Sequence, residues 1–354
     1  MSGQETIFGK DGRCGRILLN RPKVLNALSP TQFGTLDAQL AAWQRDDGVA
    51  AVVIEGEGER AFSAGGDIRA TYDAWKRGDH AGNRGLFRAE YRLDRRIHYY
   101  PKPYVAILDG IVMGGGAGVS INGGFRVATE RTQFAMPETG IGFFPDVGAT
   151  HFLNRCPGRI GLYLGLTGAR IGPADALWAG IATHFVPVAG LDALRAGLAE
   201  AAGAADAAGA VAEVLAAAHR DPGPGLLAEH RVAIDTCFGA GRRVADIRTA
   251  LSADPWGASV AEDLTAKAPF ALAVAHRQLT GGQGMAFDEA IRREFRLACR
   301  FIAGHDFFEG IRAQVVDKDR SPRWDPETLA EVDALAVDAC FAPLPAGEEL
   351  EFED

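Results

Sequence analysis

The stretch that decides the fold, Tyr104 to Ala149, reads YVAILDGIVMGGGAGVSINGGFRVATERTQFAMPETGIGFFPDVGA. An apolar run typical of a strand leads into the glycine triplet Gly114–Gly116, and a second apolar run precedes two carboxylates, Glu138 and Asp146, each following a proline. A glycine-rich junction between a strand and a helix can direct bare N–H groups at an anion or a polarised carbonyl. Acids near such a junction can transfer protons or act as nucleophiles. The layout therefore predicts an enzyme active site.

Each part of this stretch also has an ordinary structural explanation. A glycine triplet alone is usually a turn or a close helix contact. An acid after Met-Pro is most often a solvated loop residue or a helix cap. The functional interpretation depends on finding all of these features in one short segment.

Composition excludes several classes of protein. The chain has 354 residues, of which 47% are hydrophobic, enough for a sizeable core. Its formal net charge of −9 argues against a nucleic-acid partner. Five scattered cysteines, without a CxxC motif or a His–Cys pairing at metal-ligand spacing, indicate reduced thiols and predict no metal site.

Targeting signals are not evident in the sequence. The first fifteen residues, MSGQETIFGKDGRCG, resemble neither a signal peptide nor a transit peptide, and no apolar stretch approaches twenty residues. Arg and Ala are abundant beside few Lys, which is typical of proteins from GC-rich bacteria. We therefore expect a soluble protein of the bacterial cytoplasm without a membrane partner.

The region before the central stretch repeats one pattern. A short strand near 16–19 is followed by a helix over 31–44 with Ser29 as its N-cap, and then by a buried strand over 49–55. A second glycine-rich turn, Gly65–Gly66, follows. Repeated strand and helix units that each end in a small-residue turn predict an α/β architecture with its site where the turns cluster.

Four regions are expected along the chain. Residues 1–218 form the α/β core that carries the site, and 219–225 (HRDPGPG) form a linker. Residues 226–342 are helical, with a last helix beginning at Pro326. The acidic tail, 343–354, is expected to be disordered.

Two segments resemble the crotonase, or enoyl-CoA hydratase/isomerase, superfamily. They are Ala61–Ile68 (AFSAGGDI) and Asp109–Gly116 (DGIVMGGG), which look like its two oxyanion-hole turns. The resemblance implies a spiral of repeated ββα units with a helical C-terminal region. It also implies that the N–H groups of Gly66 and Gly115 bind a thioester oxygen. It assigns four further residues to substrate binding: Asp67, Glu90, Gly114 and Gly116.

The acids narrow the resemblance to one branch of the superfamily. Hydratases of the superfamily carry a glutamate two residues beyond the triplet, where this chain has Gly118. Glu138 with Asp146 is similar instead to the branch that hydrolyses short 3-hydroxyacyl-CoA thioesters, with 3-hydroxyisobutyryl-CoA of valine degradation as the leading substrate. The resemblance implies that Glu138 acts as a nucleophile or as a general base on water. It also implies that Asp146 orients the water or the substrate hydroxyl and could protonate the departing thiolate.

Two other functions remain open at this stage. One is a hydratase or double-bond isomerase of the same fold, in which Glu138 shuttles a proton. The other is a catalytically silent protein that binds acyl-CoA, against which the intact acids and glycine turns argue.

An acyl-CoA is the partner that the resemblance implies, and no separate cofactor is expected because CoA belongs to the substrate. Four cations near the relevant turns are candidates for its phosphates, although each would ordinarily be a solvated surface charge: Arg21, Lys23, Arg69 and Lys102. The oligomeric state is open: trimers are usual in the superfamily, so a homo-oligomer is one alternative, and a long C-terminal region that covers the site within one chain is the other.

Overall fold

The computed structural model describes residues 4–352, which form two compact units, each built from three chain segments. The first unit comprises residues 4–66, Arg92–Phe134 and Ile171–Gly225, and the second comprises Asp67–Tyr91, Ala135–Arg170 and 226–352. The boundary after Gly225 coincides with the end of the expected linker. The sequence predicted one contiguous core over residues 1–218. Two segments of that range, Asp67–Tyr91 and Ala135–Arg170, belong instead to the second unit, because they pack with the C-terminal helices.

Nine strands form within residues 4–352. They are β1 (Thr6–Asp11), β2 (Cys14–Leu19), β3 (Ala51–Gly56), β4 (Ala61–Ser63), β5 (Tyr104–Leu108), β6 (Ile111–Met113), β7 (Phe125–Ala128), β8 (Gln133–Ala135) and β9 (His184–Phe185).

The strands form two sheets that explain the repeat in the sequence. The larger sheet has the order β1-β2-β3-β5-β7-β9, in which β1 and β2 are antiparallel and the later pairs are parallel. The smaller sheet has the order β4-β6-β8. In the successive pairs β3/β4, β5/β6 and β7/β8 the first strand joins the larger sheet and the second joins the smaller one. The predicted α/β class with repeated ββα units is therefore confirmed.

Sixteen α-helices form within the same residues. They are α1 (Pro30–Arg45), α2 (Ile68–Lys76), α3 (His80–His98), α4 (Gly115–Ile121), α5 (Ala149–Phe152), α6 (Ile160–Thr167), α7 (Pro173–Trp178), α8 (Leu191–Ala201), α9 (Ala207–Ala218), α10 (Leu226–Cys237), α11 (Val244–Ser252), α12 (Ala258–Thr265), α13 (Pro269–Thr280), α14 (Phe287–Phe301), α15 (Asp306–Ile311) and α16 (Ala334–Cys340). A turn of π-helix, Arg312–Val316, continues α15.

The core of the first unit lies between the larger sheet and two helices, α8 and α9. Branched side chains from one face of the sheet pack against the apolar stripe of these helices. The main contributors are Val53, Val105, Ile107, Val127, Leu194, Leu198, Val211 and Leu215. Burial of apolar surface is the dominant stabilising contribution here.

The second unit has an aromatic core. Phe143 stacks on Phe87 with ring centroids 5.5 Å apart, and it also contacts Phe301 and Phe307 at 5.5 and 4.5 Å. Offset and edge-to-face pairs of this kind stabilise a core beyond the area that they bury. Phe143 lies between Glu138 and Asp146 in the chain, so these contacts tie the segment that carries the two predicted acids to α3, α14 and α15.

Two expectations about the C-terminal region were wrong. Residues 343–352 are ordered rather than disordered, because Leu350 is only 1% exposed and Glu349 forms an ion pair with Arg296. The last helix begins at Ala334, not at Pro326, because the Asp333 side chain caps it by accepting a 2.9 Å hydrogen bond from the Leu335 N–H. Residues 353–354 of the expected tail lie outside the described residues.

Candidate functional site

Two glycine turns of the first unit, Gly65–Gly66 and Gly114–Gly116, lie beside each other. They follow β4 and β6, which pair in parallel, so both turns leave the same edge of the smaller sheet. A Cβ added to Gly65 would lie 3.0 Å from the carbonyl oxygen of Met113 and 3.4 Å from the nitrogen of Gly115. The structure therefore brings together the two turns that the sequence singled out.

The backbone N–H groups of Gly66 and Gly115 are unpaired within residues 4–352. Gly115 is the first residue of α4, where N–H groups have no intrahelical acceptor. The Gly65 carbonyl accepts a 2.8 Å hydrogen bond from the Leu28 N–H, which fixes the first turn. Two bare donors in adjacent turns are the arrangement that stabilises a developing oxyanion.

Gly114 and Gly116 are required by the shape of the second turn. Gly114 has φ +48° and ψ −126°, a conformation that other residues rarely adopt. A Cβ on Gly116 would collide with the carbonyl oxygen of Ser63 in β4. These two glycines shape the turn, and their contact with substrate stays a prediction.

Glu138 begins a short 3₁₀ turn, Glu138–Ile141, after two residues that follow β8. Glu138 is 5% exposed, and its Oε2 atom has no hydrogen-bond partner in residues 4–352. A buried carboxylate oxygen without a partner is costly to maintain and is therefore a candidate for contact with a ligand or a reactant. The burial of Glu138 therefore supports a functional carboxylate and argues against the solvated loop residue that the sequence also allowed.

Asp146 is also 5% exposed, and it lies in the loop between the Glu138 turn and α5. Its Oδ2 atom accepts a 2.7 Å hydrogen bond from the hydroxyl of Tyr91 on α3. The next residue, Val147, has φ +54°, which is a strained conformation for a β-branched side chain. The carboxylate is therefore held in place both by a side chain and by an unusual backbone.

Glu90 lies on the buried face of α3, adjacent in sequence to Tyr91, and is 5% exposed. The charges of Asp146 and Glu138 both act on Glu90, so the three acids form one group in the second unit. We call Glu90, Glu138 and Asp146 the acid cluster.

Burial changes the acid–base properties of this cluster. Loss of solvation raises the pKa of Glu138 well above its usual range, and the nearby charge of Asp146 raises it further. Burial and the same neighbour raise the pKa of Glu90 in the same way. Burial raises the pKa of Asp146 to about 7, although the Tyr91 hydrogen bond opposes this shift. Carboxyls that titrate near neutral pH are suited to general acid–base catalysis.

Sequence reasoning missed three residues around the cluster: Tyr91 as a hydrogen-bond donor, Glu294 and Lys267. Glu294 is fully buried on α14, and its charge raises the pKa of Glu138. The charge of Lys267 lowers the pKa of Glu138. Glu294 had a detectable signal, because it falls on the apolar stripe of α14 beside Ile291 and Phe295.

Asp67 caps a helix in the structure. Its side chain accepts a 3.2 Å hydrogen bond from the Ala70 N–H at the start of α2. This is the usual role of an aspartate at such a position. Its predicted part in substrate binding stays a prediction.

Three of the four candidate cations for CoA phosphates have partners inside the protein. The Lys102 ammonium donates to the carbonyl oxygens of Trp43 and Asp46 at 2.6 and 2.9 Å. Arg69 forms a salt bridge with Asp73 at 3.1 Å. Arg21 donates to the Ala27 carbonyl at 2.6 Å and pairs with Glu5 at 3.3 Å.

The described part of the chain shows no group of three or more His, Cys, Asp or Glu side chains arranged to hold a metal ion. All five cysteines are buried and free, and burial raises the pKa of Cys14 to about 11. None of the helices in residues 4–352 has the length and apolar character needed to span a membrane.

Comparisons with known proteins by family model and by sequence identity agree on one family. The model of the enoyl-CoA hydratase/isomerase family matches residues 14–341. The chain is 44% identical over 350 residues to a Danio rerio protein named 3-hydroxyisobutyryl-CoA hydrolase, mitochondrial, covering 97% of this chain and 91% of that protein. A Gallus gallus protein of the same name is also 44% identical, covering 97% of this chain and 90% of that one.

Two similar solved structures carry different names. A carnitinyl-CoA dehydratase from Mycobacterium thermoresistibile is 42% identical with a TM-score of 0.91, and the alignment covers 99% of both chains. An enoyl-CoA hydratase from Rhodobacter sphaeroides 2.4.1 is 39% identical with a TM-score of 0.91, covering 99% of this chain and 100% of that one. These likenesses confirm the predicted crotonase-like fold with its helical C-terminal region.

Proposed function

Because the chain belongs to the enoyl-CoA hydratase/isomerase family, we propose that it hydrolyses a short 3-hydroxyacyl-CoA thioester. The proposed substrate is 3-hydroxyisobutyryl-CoA, and the products are 3-hydroxyisobutyrate and CoA. This reaction would place the protein in valine degradation. Two relatives that are 44% identical, matched over 91% and 90% of their length, carry the name of this activity.

The acid cluster is the structural observation that carries the proposal. Glu138 is buried with one carboxylate oxygen unpaired among the described residues, and its neighbour Asp146 has its pKa raised to about 7. Hydrolysis needs one group that attacks the thioester or activates water, and another that delivers a proton to the departing thiolate. Two buried carboxyls in different surroundings can divide these roles between them.

We assign these roles as follows. Glu138 either attacks the thioester carbon to give a mixed anhydride, which water then hydrolyses, or removes a proton from the attacking water. Asp146 orients the water or the 3-hydroxyl of the substrate and protonates the CoA sulfur as the carbon–sulfur bond breaks. Glu90 contacts the acyl group. The N–H groups of Gly66 and Gly115 stabilise the negative charge on the thioester oxygen.

A hydratase or isomerase activity is the second candidate, because the two similar solved structures are named as a dehydratase and a hydratase. Helix α4, which follows the second glycine turn, argues against hydration. Its sequence is GGAGVSI, so it carries no acid at Gly118 or elsewhere. Addition of water to a double bond needs two groups that exchange protons with one water.

One assay separates the two candidates. Purified protein is given 3-hydroxyisobutyryl-CoA, and free thiol is measured, while loss of the double bond of crotonyl-CoA is followed in parallel. Thiol release without hydration is the expected result. Hydration or isomerisation without thiol release would contradict the proposal and favour the second candidate.

Three further assignments stay predictions. The absence of a separate cofactor is one, and the trimer usual in the superfamily is another. The bacterial cytoplasm is the third, since the named relatives are mitochondrial proteins. Sedimentation of the purified protein would measure the oligomeric state directly.

A further inference from the structure

Glu294 contacts the loop that carries Asp146. It is 0% exposed and lies on the apolar face of α14. Its two carboxylate oxygens accept 2.7 Å hydrogen bonds from the backbone N–H groups of Gly148 and Thr150. A side chain from a distant helix therefore fixes the backbone immediately after Asp146.

Gln278 on α13 holds the same loop from the other end. Its amide nitrogen donates to the carbonyl oxygen of Pro145 at 2.7 Å and to the hydroxyl of Thr150 at 2.8 Å. It also lies 3.5 Å from a carboxylate oxygen of Glu294. Glu294 and Gln278, which we call the clamp, thus contact the residues on both sides of Asp146.

The loop needs such support because its backbone is strained. Val147 has φ +54°, and Gly148 has φ +92°. A β-branched residue in the left-handed region costs free energy and persists only where the surroundings enforce it. Two hydrogen bonds accepted by Glu294 and two donated by Gln278 provide that enforcement.

We propose that Glu294 and Gln278 are positioning residues for thioester hydrolysis, an inference that rests on the proposed function. They act through the loop backbone to hold the Asp146 carboxylate where the Tyr91 hydroxyl meets it at 2.7 Å. A displacement of about 1 Å at a reacting group can reduce a rate by about 100-fold. The clamp therefore supports the rate without touching the substrate.

The choice of a carboxylate at position 294 supports this role. The charged groups that face Glu294 are Asp146, Glu138 and Arg293, and the phenol of Tyr91 also lies near it. Burial raises the pKa of Glu294, whereas its bonds to the loop N–H groups lower it and favour the ionised carboxylate that the two acceptor contacts require. An apolar side chain at this position would avoid the free-energy cost of burying a carboxylate, but it would leave the N–H groups of Gly148 and Thr150 unpaired.

Glu294→Gln tests the proposal with a minimal change in shape. A glutamine amide can accept from only one of the two N–H groups, because its own nitrogen is a donor. We expect kcat for thiol release to fall by about 10- to 100-fold while KM stays within about twofold. Gln278→Met, which keeps the volume but removes the amide, should change kcat in the same direction and provides a second variant.

A double-mutant cycle distinguishes positioning from general stability. If Glu294 acts through Asp146, Glu294→Gln should cost less than about twofold in kcat once Asp146 is already Asn. Its effect on Tm should be the same in both backgrounds. An equal loss of kcat in both backgrounds would overturn the proposal.

Hydrogen exchange separates this inference from the proposed function. The amides of Gly148 and Thr150 should be protected in the unmodified protein, and the amide that loses its acceptor in Glu294→Gln should exchange at least about tenfold faster. Absence of thiol release in the unmodified protein would refute the proposed function alone. Unchanged exchange at both amides in the variant would refute the clamp whatever reaction the protein catalyses.

Discussion

The hydroxyl of Tyr91 donates a 2.7 Å hydrogen bond to Oδ2 of Asp146, and both residues are buried. The bond orients the carboxylate and favours its ionised form, so it lowers a pKa that burial otherwise raises. One hydroxyl therefore affects both the position and the protonation state of an acid in the cluster.

Tyr91→Phe should reduce kcat by about tenfold, because the lost bond is worth about 1–3 kcal/mol when its acceptor stays buried. The variant should also raise the pKa of Asp146, so that the corresponding limb of the pH–rate profile moves to higher pH. Tyr100→Phe is the matched control, since the Tyr100 hydroxyl donates to the Leu40 carbonyl in the other unit. A profile unchanged in Tyr91→Phe would contradict the assignment.

Glu138→Gln should abolish thiol release while binding of the CoA ester survives. The amide has the shape of the carboxylate but can neither attack the thioester nor accept a proton from water, a loss of about 10²–10⁴-fold at least. Turnover is measured by free thiol and binding by calorimetry with a non-hydrolysable CoA thioether. Glu229→Gln, on the exposed face of α10, controls for the loss of one negative charge. Retained turnover would remove Glu138 from the mechanism.

Gly65→Ala should impair both folding and catalysis. The residue has φ +107°, and the added Cβ would lie 3.0 Å from the Met113 carbonyl and 3.4 Å from the Gly115 nitrogen. We expect a lower Tm and a loss of about 10²–10³ in kcat, the range for losing one oxyanion donor. Gly34→Ala, on the exposed face of α1 with open space around it, should instead gain about 0.5–1 kcal/mol in stability. Normal kcat in Gly65→Ala would show that the turn is not part of the oxyanion site.

Stability should fall as pH rises from about 4 to 7. Burial raises the pKa of Asp146 from 3.8 to about 7. Over this window the folded protein holds protons that the unfolded chain has released, so the free energy of unfolding decreases with pH. Thermal melts at several pH values measure the effect, and Asp146→Asn should show a smaller decline. A Tm that rises with pH across this window would mean that Asp146 is ionised throughout.

The local features of the fold were predictable from the sequence because each of them depends on a few neighbouring residues. The glycine turns, the prolines before Glu138 and Asp146, and the cap and helix following Ser29 are all set within a few positions. Helix α1 begins at Pro30, and the Ser29 N–H donates a 2.8 Å hydrogen bond to the side chain of Gln32, as expected at a helix start.

Features that depend on distant contacts were not predictable in the same way. Strand β1 was missed because TIFGKD alternates only weakly, and it forms by pairing with β2. The clamp joins residues more than one hundred positions apart, as in the bond from Thr150 to Glu294. The sequence of α14 indicates that Glu294 is buried on a helix, but it does not indicate which loop Glu294 contacts.

The three-segment construction of the second unit has a consequence for synthesis on the ribosome. The first unit has its complete set of segments once Gly225 has emerged, whereas the second unit still lacks everything from Leu226 onward. Until then the nascent chain carries Asp146 without the glutamate and glutamine that fix its loop. A nascent chain that has not yet reached Phe301 and Phe307 therefore lacks the rings that cover Phe143, and it exposes aromatic surface of the kind that favours aggregation during folding.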